Sequence, residues 1–306
     1  MDKEKSFVSF VIYTHNDGMK ITDFLNKMYA YNSEHFENFE IICVDDGSVD
    51  NTVELIKNFV SKGKSITVVD MGFCQGLELA MNAGVDFAIG DFVFEFDSVE
   101  ITYDMSVVSE IFHECLDGND IVSACPDTTP NHVSGLFYKL FNAVSKTQYI
   151  LQTDSFRILS RRAINRVRSM SNVLPYRKAV YANCGLIMKN HTYIPISKGT
   201  HKRDNSYRID LAIDAFVLYT NIAYKLASFF SIFMLFITVG ISIYALVIHI
   251  QGVPVEGWTS IVLIICLGFF GISLLIAILI KYTELILQTV FMHHKYIVKS
   301  VDRISR

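Results

Sequence analysis

Apolar runs alternate with polar turns along the first two thirds of the chain, at the spacing of an α/β sheet. Phe7 to Ile12 is mainly apolar and is followed by Tyr13, Thr14, His15, Asn16 and Asp17. Ile41 to Val44 is a second run, and it empties into Asp45, Asp46, Gly47, Ser48, Val49 and Asp50. Four apolar residues in a row suit a parallel strand covered on both faces, and Gly47 with Ser48 permits a tight exit from the sheet. Thr52 to Val60 then reads as a helix and Ile66 to Val69 as a strand. Gly76 to Ala88 reads as a helix behind the Gly-rich turn Gly72 to Gly76, with Leu77, Ala80, Met81, Gly84 and Val85 at helical spacing. Phe92 to Phe96 is a strand ending at Asp97, Met105 to Leu116 a helix, Ile121 to Ala124 a strand, and Gly135 to Tyr149 a mostly apolar helix. The β-α-β-α-β order predicts a mainly parallel, Rossmann-like sheet. Such sheets bind ligands at the carboxyl ends of their strands, where Asp45 and Asp46 fall.

The last third follows a different pattern. No charged residue stands between Lys225 and His249 or between Glu256 and Lys281, so two runs of more than twenty mostly apolar residues follow one another. At about 1.5 Å of rise per residue, each is long enough for a hydrocarbon core of about 30 Å. Neither has the polar stripe that a helix with a solvent face needs. The pattern therefore predicts transmembrane helices over 226–250 and 258–280, with Trp258 and Tyr282 near the interfaces. Leu211, Ile213, Phe216, Val217, Ile222 and Ala223 predict an interfacial amphipathic helix over 206–225.

Composition explains little until it is localised. The mean hydropathy of +0.33 comes from those two runs. Lys225 precedes the first, whereas Lys281, Lys295, Lys299, Arg303 and Arg306 follow the second, and the joining segment has no Lys or Arg. The positive-inside rule then places both termini, the domain over 1–205 and the tail over 281–306 in the cytoplasm of a multi-pass membrane protein. Met1 to Lys5 leads into a strand without the apolar stretch of a signal peptide, which agrees. Six scattered cysteines fit a reduced compartment and offer no zinc cluster. A net charge of -4 argues against a nucleic-acid partner.

The motifs carry a family resemblance. Val44-Asp45-Asp46-Gly47-Ser48 with Asp50 and Thr52, behind a strand ending in Asn16-Asp17, resembles the inverting family-2 glycosyltransferases of GT-A fold. The run Phe156-Arg157-Ile158-Leu159-Ser160-Arg161-Arg162, then Leu174-Pro175, then His201 to Tyr207, resembles the polyprenyl-phosphate branch of that family, which includes dolichol-phosphate mannosyltransferases. Two apolar runs joined by Gly252 to Ser260, and the closing Tyr296-Ile297-Val298-Lys299, complete the likeness over almost the whole chain.

That resemblance implies a nucleotide-sugar donor, a polyprenyl phosphate acceptor at the bilayer, and a role in cell-envelope polysaccharide; a homo-oligomer is compatible with it. It assigns Tyr13, Asn16, Asp45, Asp46, Gly47, Ser48, Glu78 and Asp97 to donor binding. It assigns Asp97, Asp154, Ser155, Arg157 and Arg161 to catalysis, and Arg157, Arg161, Lys202 and Arg203 to the acceptor phosphate, since guanidinium forks match phosphate oxygens. For Asp45, Asp46 and Asp50 an alternative is open: they turn the chain and cap the helix from Thr52.

One departure bears on chemistry. GT-A enzymes hold magnesium or manganese with an Asp-x-Asp, because hard cations take oxygen ligands. Here the run is Asp97-Ser98-Val99-Glu100. Three arrangements fit it: Asp97 holds the ion with the diphosphate and water, Glu100 substitutes by a shift of the loop, or the site is dead. The corresponding alternative to an enzyme is a catalytically degenerate relative that acts as a membrane-bound binding or scaffold subunit. A processive synthase fits less well, because two spans are too few for a polymer channel.

Overall fold

The computed structural model describes residues 3–60, 65–128, 142, 149–170, 176–197, 222–251, 257–290 and 296–304. The chain divides into two compact units, one of residues 1–212 with 291–306 and the other Ile213–Val290.

The first unit is built on one eight-stranded sheet. Its strands are β1 (Val8–Thr14), β2 (Phe39–Asp45), β3 (Ile66–Asp70), β4 (Phe92–Phe96), β5 (Ile121–Pro126), β6 (Phe156–Ser160), β7 (Met188–Tyr193) and β8 (Ser300–Ile304). The spatial order is β7-β5-β6-β4-β1-β2-β3-β8. Six strands are mutually parallel. β6 runs antiparallel between β4 and β5, and β8 antiparallel along the outer edge of β3. The sheet is thus mainly parallel, as the pattern predicts, with two reversed strands that the pattern does not reveal.

Helices α1 (Ile21–His35), α2 (Thr52–Val60), α3 (Leu77–Phe87), α4 (Ser106–Leu116), α5 (Arg161–Met170) and α6 (Arg177–Asn183) cover the two faces. α1 buries Ile21, Phe24, Leu25, Met28 and Asn32, a single stripe at helical spacing. Under α1 and α4 lies an aromatic core. Phe10 and Phe94 stack at 4.9 Å, Phe96 and Phe156 at 5.0 Å, and Tyr103 meets Phe156 at 4.3 Å. α3 lies close on the sheet because Gly84 faces it: a Cβ there would stand 2.4 Å from Val11 and 2.6 Å from Val44.

Alternation along β4 decides what the other face holds. Phe94 and Phe96 enter the aromatic core, so Glu95 points the opposite way. Its side chain is fully buried. The antiparallel register sets Arg157 of β6 directly opposite it.

The second unit is a pair of long helices, α7 (Ile222–Ile250) and α8 (Trp258–Val290). Ala227–Ile248 and Ser260–Thr283 are long and apolar enough to cross a membrane, with mean hydropathies of 2.4 and 3.0, and only 17% and 6% of those windows is buried. Their seam uses small residues, Ser231, Thr238, Ala245 and Ala277, and Thr238 Oγ1 donates to the Cys266 carbonyl at 3.3 Å. α8 continues ten residues past the expected limit at 280. Within the expected tail over 281–306, β8 closes the sheet edge of the first unit. The expected interfacial helix over 206–225 and the apolar helix over 135–149 lie almost wholly outside the described residues.

Candidate functional site

Two clusters of polar side chains meet the carboxyl edge of the sheet. The first is the turn after β2. Gly47 has φ +67°, and a Cβ there would come within 2.6 Å of the backbone of Phe73 and Cys74, so only glycine lets this turn approach the loop after β3. Asp46, fully buried, fastens that loop. Its Oδ1 accepts from Gln75 N–H at 2.7 Å, and its Oδ2 accepts from Gly76 N–H at 3.0 Å and the Tyr13 hydroxyl at 3.0 Å.

Asn16, in the left-handed region at φ 53°, ties the β1 turn to the β2 turn. Its N–H donates to Ser48 Oγ at 2.9 Å and its Oδ1 accepts from Val49 N–H at 2.9 Å. Asp50 accepts from Gly18 N–H at 3.0 Å and from Thr52 N–H at 3.0 Å, which opens α2. The turning and capping role therefore holds for Asp50, and Asp46 is occupied by its own chain.

Asp45 differs from both. Its Oδ2 accepts from Ser48 N–H at 3.0 Å, while its Oδ1 is buried and has no hydrogen-bond partner among the described residues. Burial raises its carboxyl above the ordinary aspartate value, against the pull of Ser48. Buried acceptors are almost always satisfied, so this oxygen carries an unmet hydrogen bond at the carboxyl end of β2.

The second cluster surrounds Asp97. Arg157 donates from Nη1 to Glu95 at 2.7 Å, from Nη2 to Asp97 Oδ2 at 2.8 Å and from Nε to Asp154 at 2.9 Å. Arg177, at the start of α6, donates from Nε to Glu78 at 2.9 Å and from Nη2 to Asp97 Oδ1 at 2.7 Å. Its Nη1 lies 2.8 Å from Glu95 Oε2. Tyr181 donates to the other Glu95 oxygen at 2.7 Å, and Lys178 pairs with Asp154. Four carboxylates thus face three cations. Burial alone would pull both guanidiniums down, but the surrounding carboxylates hold them well above the ordinary arginine value. Burial would raise Asp154, and Arg157 with Lys178 override it and lower the carboxyl. A small crevice of about 10 Å³, room for about one water, borders Asp154, Arg157 and Lys178 together with Ser123, Gln152 and Asn190.

The remaining expected residues divide. Glu78, Asp97, Asp154 and Arg157 are brought together. Ser155 sits at the edge with its Oγ 2.5 Å from the Tyr193 hydroxyl. Arg161 lies at the opposite end of β6, where its Nε donates to the Gly90 carbonyl at 2.9 Å and its Nη2 to that of Ala88 at 3.0 Å. An antiparallel strand carries its last residue away from the edge that holds its first, so Arg161 holds the loop before β4 and does not reach the Asp97 cluster. Glu100 turns to Lys20 and forms an ion pair with it, so it does not substitute as a ligand beside Asp97. Lys202 and Arg203 lie outside the described residues.

These residues do not build a divalent-cation cage. Both Asp97 oxygens already accept from guanidiniums, and Val99 is buried and apolar. Among the described residues, the group of three side chains with metal-ligand spacing is His15, Asp46 and Cys74, where Asp46 is engaged by backbone N–H groups.

Glu95, Arg177, Lys178 and Tyr181 were not expected in the site. Glu95 carried a readable signal: a carboxylate in the middle of an apolar strand requires a buried partner. Arg177 carried none, because only the fold brings α6 over β4.

A nucleotide-type α/β sheet with its polar groups at the carboxyl edge defines the class. Residues 9–167, just over half of the chain, match the model of glycosyl transferase family 2, and the chain belongs to that family. It is similar to the uncharacterized glycosyltransferase YkcC of Bacillus subtilis (strain 168), at 22% identity over 88% of this chain and 85% of that one. It is also similar to the SfII prophage-derived bactoprenol glucosyl transferase of Shigella flexneri, at 22% identity over 97% of this chain and 98% of that one. Among solved structures, a mannosyltransferase from Pyrobaculum calidifontis in complex with GDP-Man and Mn2+ aligns with a TM-score of 0.53 at 15% identity. The alignment covers 70% of this chain and 63%, less than two thirds, of that one. Glucosyl-3-phosphoglycerate synthase from Mycobacterium tuberculosis, in complex with Mn2+, UDP-Glc and phosphoglyceric acid, aligns at 0.53 and 13% identity over 69% of this chain and 78% of that one. These likenesses place the chain in the GT-A fold. It is a glycosyltransferase by family.

Proposed function

We propose that the chain is a membrane-anchored inverting glycosyltransferase that moves one sugar from a nucleotide-sugar donor to a polyprenyl phosphate on the cytoplasmic leaflet. The observation that carries the donor half is Asp45, whose buried Oδ1 is open at the carboxyl end of β2 while Asp46 and Asp50 are committed to the chain. A nucleoside N–H or O–H satisfies it. The lipid half is supported by α7 and α8 and by the bactoprenol glucosyl transferase likeness over nearly the full chain. A lipid phosphate confined to the bilayer surface meets an anchored enzyme at high effective concentration.

The phosphate oxygen attacks the anomeric carbon as the nucleoside diphosphate leaves, and the configuration inverts. A phosphate whose second pKa is about 6 is largely deprotonated at neutral pH, so it needs no strong base. Asp154 suits that chemistry: its lowered carboxyl is a poor base, and it positions Arg157 and Lys178. Lys178, paired with Asp154 at this edge, is a cation proposed for the acceptor phosphate, with Lys202 and Arg203 as further candidates. Manganese, present in both solved neighbours, or magnesium would enter with the donor diphosphate, since the described residues around Asp97 supply no cage.

A second reading, a degenerate relative that binds donor without turning it over, is favoured by one observation, the saturation of Asp97 beside Val99. Thermal unfolding of the detergent-solubilised protein against UDP, GDP, UDP-glucose and GDP-mannose, with and without Mn2+, tests donor binding under both readings. Stabilisation by at least one nucleotide is expected. No shift with any of them would remove the donor half of the proposal.

A further inference from the structure

The loop from Met71 to Gly76 is gripped from two sides. Asp46 holds it from the β2 turn. On its other flank lies the chain that returns after α8. The Gln75 side chain and the Ile297 backbone form a reciprocal pair: Nε2 donates to the Ile297 carbonyl at 2.6 Å, and Ile297 N–H donates to Oε1 at 2.9 Å. Lys299 N–H donates to the Asp70 carbonyl at 2.8 Å, and its ammonium pairs with Asp70 Oδ2 at 2.9 Å. The other oxygen of Asp70 accepts from Gly72 N–H at 2.8 Å. A Cβ at Gly72 would stand 3.0 Å from the Lys299 side chain. Asp70 is the register partner of Asp45.

This loop has a physical need for outside support. Gly72 and Gly76 both have positive φ, at 76° and 91°. Ordering glycines costs more backbone entropy than ordering other residues, so the loop's own sequence disfavours one conformation. Four hydrogen bonds from the returning chain oppose that cost at Asp70 and Gln75, the two ends of the segment.

We infer that Ile297 and Lys299 are positioning residues of the nucleotide site: they fix the 71–76 loop against Asp46, and so hold the turn that carries the open Asp45 oxygen. The inference rests on the reading of this edge as the donor site. It gives the segment after the second apolar helix a part in donor binding. Mere covering of the exposed β3 edge is the competing account, and it affects stability but not affinity.

The test uses the full-length protein in detergent. Gln75→Ala removes both bonds of the reciprocal pair, and Ile297→Pro removes the one that the Ile297 N–H donates. Ile304→Ala trims the far end of the same strand, where Ile304 pairs with Ile66 away from the loop. Affinity for UDP and GDP is measured by calorimetry, and hydrogen exchange of 45–48 and 71–76 is followed without nucleotide. At about 0.5–1.5 kcal/mol per hydrogen bond, affinity is expected to drop about five-fold or more in Gln75→Ala, which loses two, and about two- to ten-fold in Ile297→Pro, which loses one. Faster exchange in both segments accompanies it. Ile304→Ala is expected to lower the unfolding temperature and leave affinity within about two-fold. Unchanged affinity and exchange in Gln75→Ala overturn the inference, even where Ile297→Pro fails to fold, and so does an equal loss of affinity in Ile304→Ala. Wild-type protein that binds neither nucleotide instead sinks the donor reading, and the exchange measurement still decides whether the tail holds the loop.

Discussion

The β2 turn and the Asp97 cluster stand at the same edge of one sheet and use carboxylates in opposite ways. In the turn, Asp46 and Asp50 are held mostly by neutral backbone N–H groups, and Asp45 keeps one oxygen unfilled. In the cluster, the Asp97 and Glu95 oxygens all meet a guanidinium or a phenol. An unsatisfied buried acceptor costs stability and is kept where a ligand completes it, whereas a saturated charge network gives rigidity and leaves little for a ligand. The contrast separates two carboxylate sites: the β2 turn keeps one acceptor unfilled, and the Asp97 cluster, four carboxylates on three cations, is filled from within.

Breaking the saturated side has the largest expected effect. Arg177→Ala leaves Glu78 without its cation and Glu95 and Asp97 with Arg157 alone, and removal of one partner from a buried ion cluster costs about 3–5 kcal/mol. A steep fall in the unfolding temperature, or failure to accumulate, is expected; a change of less than 1 °C would show that the cluster is not a structural unit. Gly47→Ala comes next, because a Cβ meets backbone and the positive φ disfavours it. A loss of about 1–3 kcal/mol and weaker nucleotide binding are expected from denaturant unfolding and calorimetry.

Asp45→Asn sharpens the comparison, since stability and binding should move in opposite directions. A carboxyl whose folded value is raised takes up its proton more readily folded than unfolded. Its burial therefore costs stability above that value, and the cost disappears as pH falls through it. The neutral amide removes the cost, so Asp45→Asn should unfold at a higher temperature at pH 7 than wild type, with the difference shrinking toward pH 4, while nucleotide affinity falls. A variant that is less stable and binds normally would contradict the role given to Asp45. The smallest effect belongs to Glu100→Gln, which removes a partly exposed pair with Lys20 worth about 0.2–1 kcal/mol. Mn2+ binding followed by electron paramagnetic resonance should be unchanged in it; a weakened site would return Glu100 to the metal.

Much of the fold was legible because buried parallel strands advertise themselves as apolar runs. Strands β2 and β4 and helices α3 and α4 emerge close to their expected bounds. β7, with Lys189, Asn190, His191 and Thr192 in its middle, and β8, with Asp302 and Arg303, carry no such run, because an outer strand buries only part of its surface. α1 was missed although its stripe is regular, since its polar residues outnumber its apolar ones. In the site, the Asp45 to Ser48 turn and the Phe156-Arg157 pair were readable as local motifs. The Arg157–Glu95 and Gln75–Ile297 pairings were not, because they join residues 62 and 222 positions apart that only the sheet order brings together.

The central claim is transfer to lipid. Membranes containing the full-length protein, given radiolabelled UDP-glucose or GDP-mannose with a polyprenyl phosphate, are extracted into organic solvent and counted. The account predicts labelled lipid with one of the donors, absent in Asp45→Asn membranes. Nucleotide binding without labelled lipid from any donor would contradict the enzyme and leave a donor-binding relative in its place, and transfer regained in Val99→Asp would locate the loss at that position.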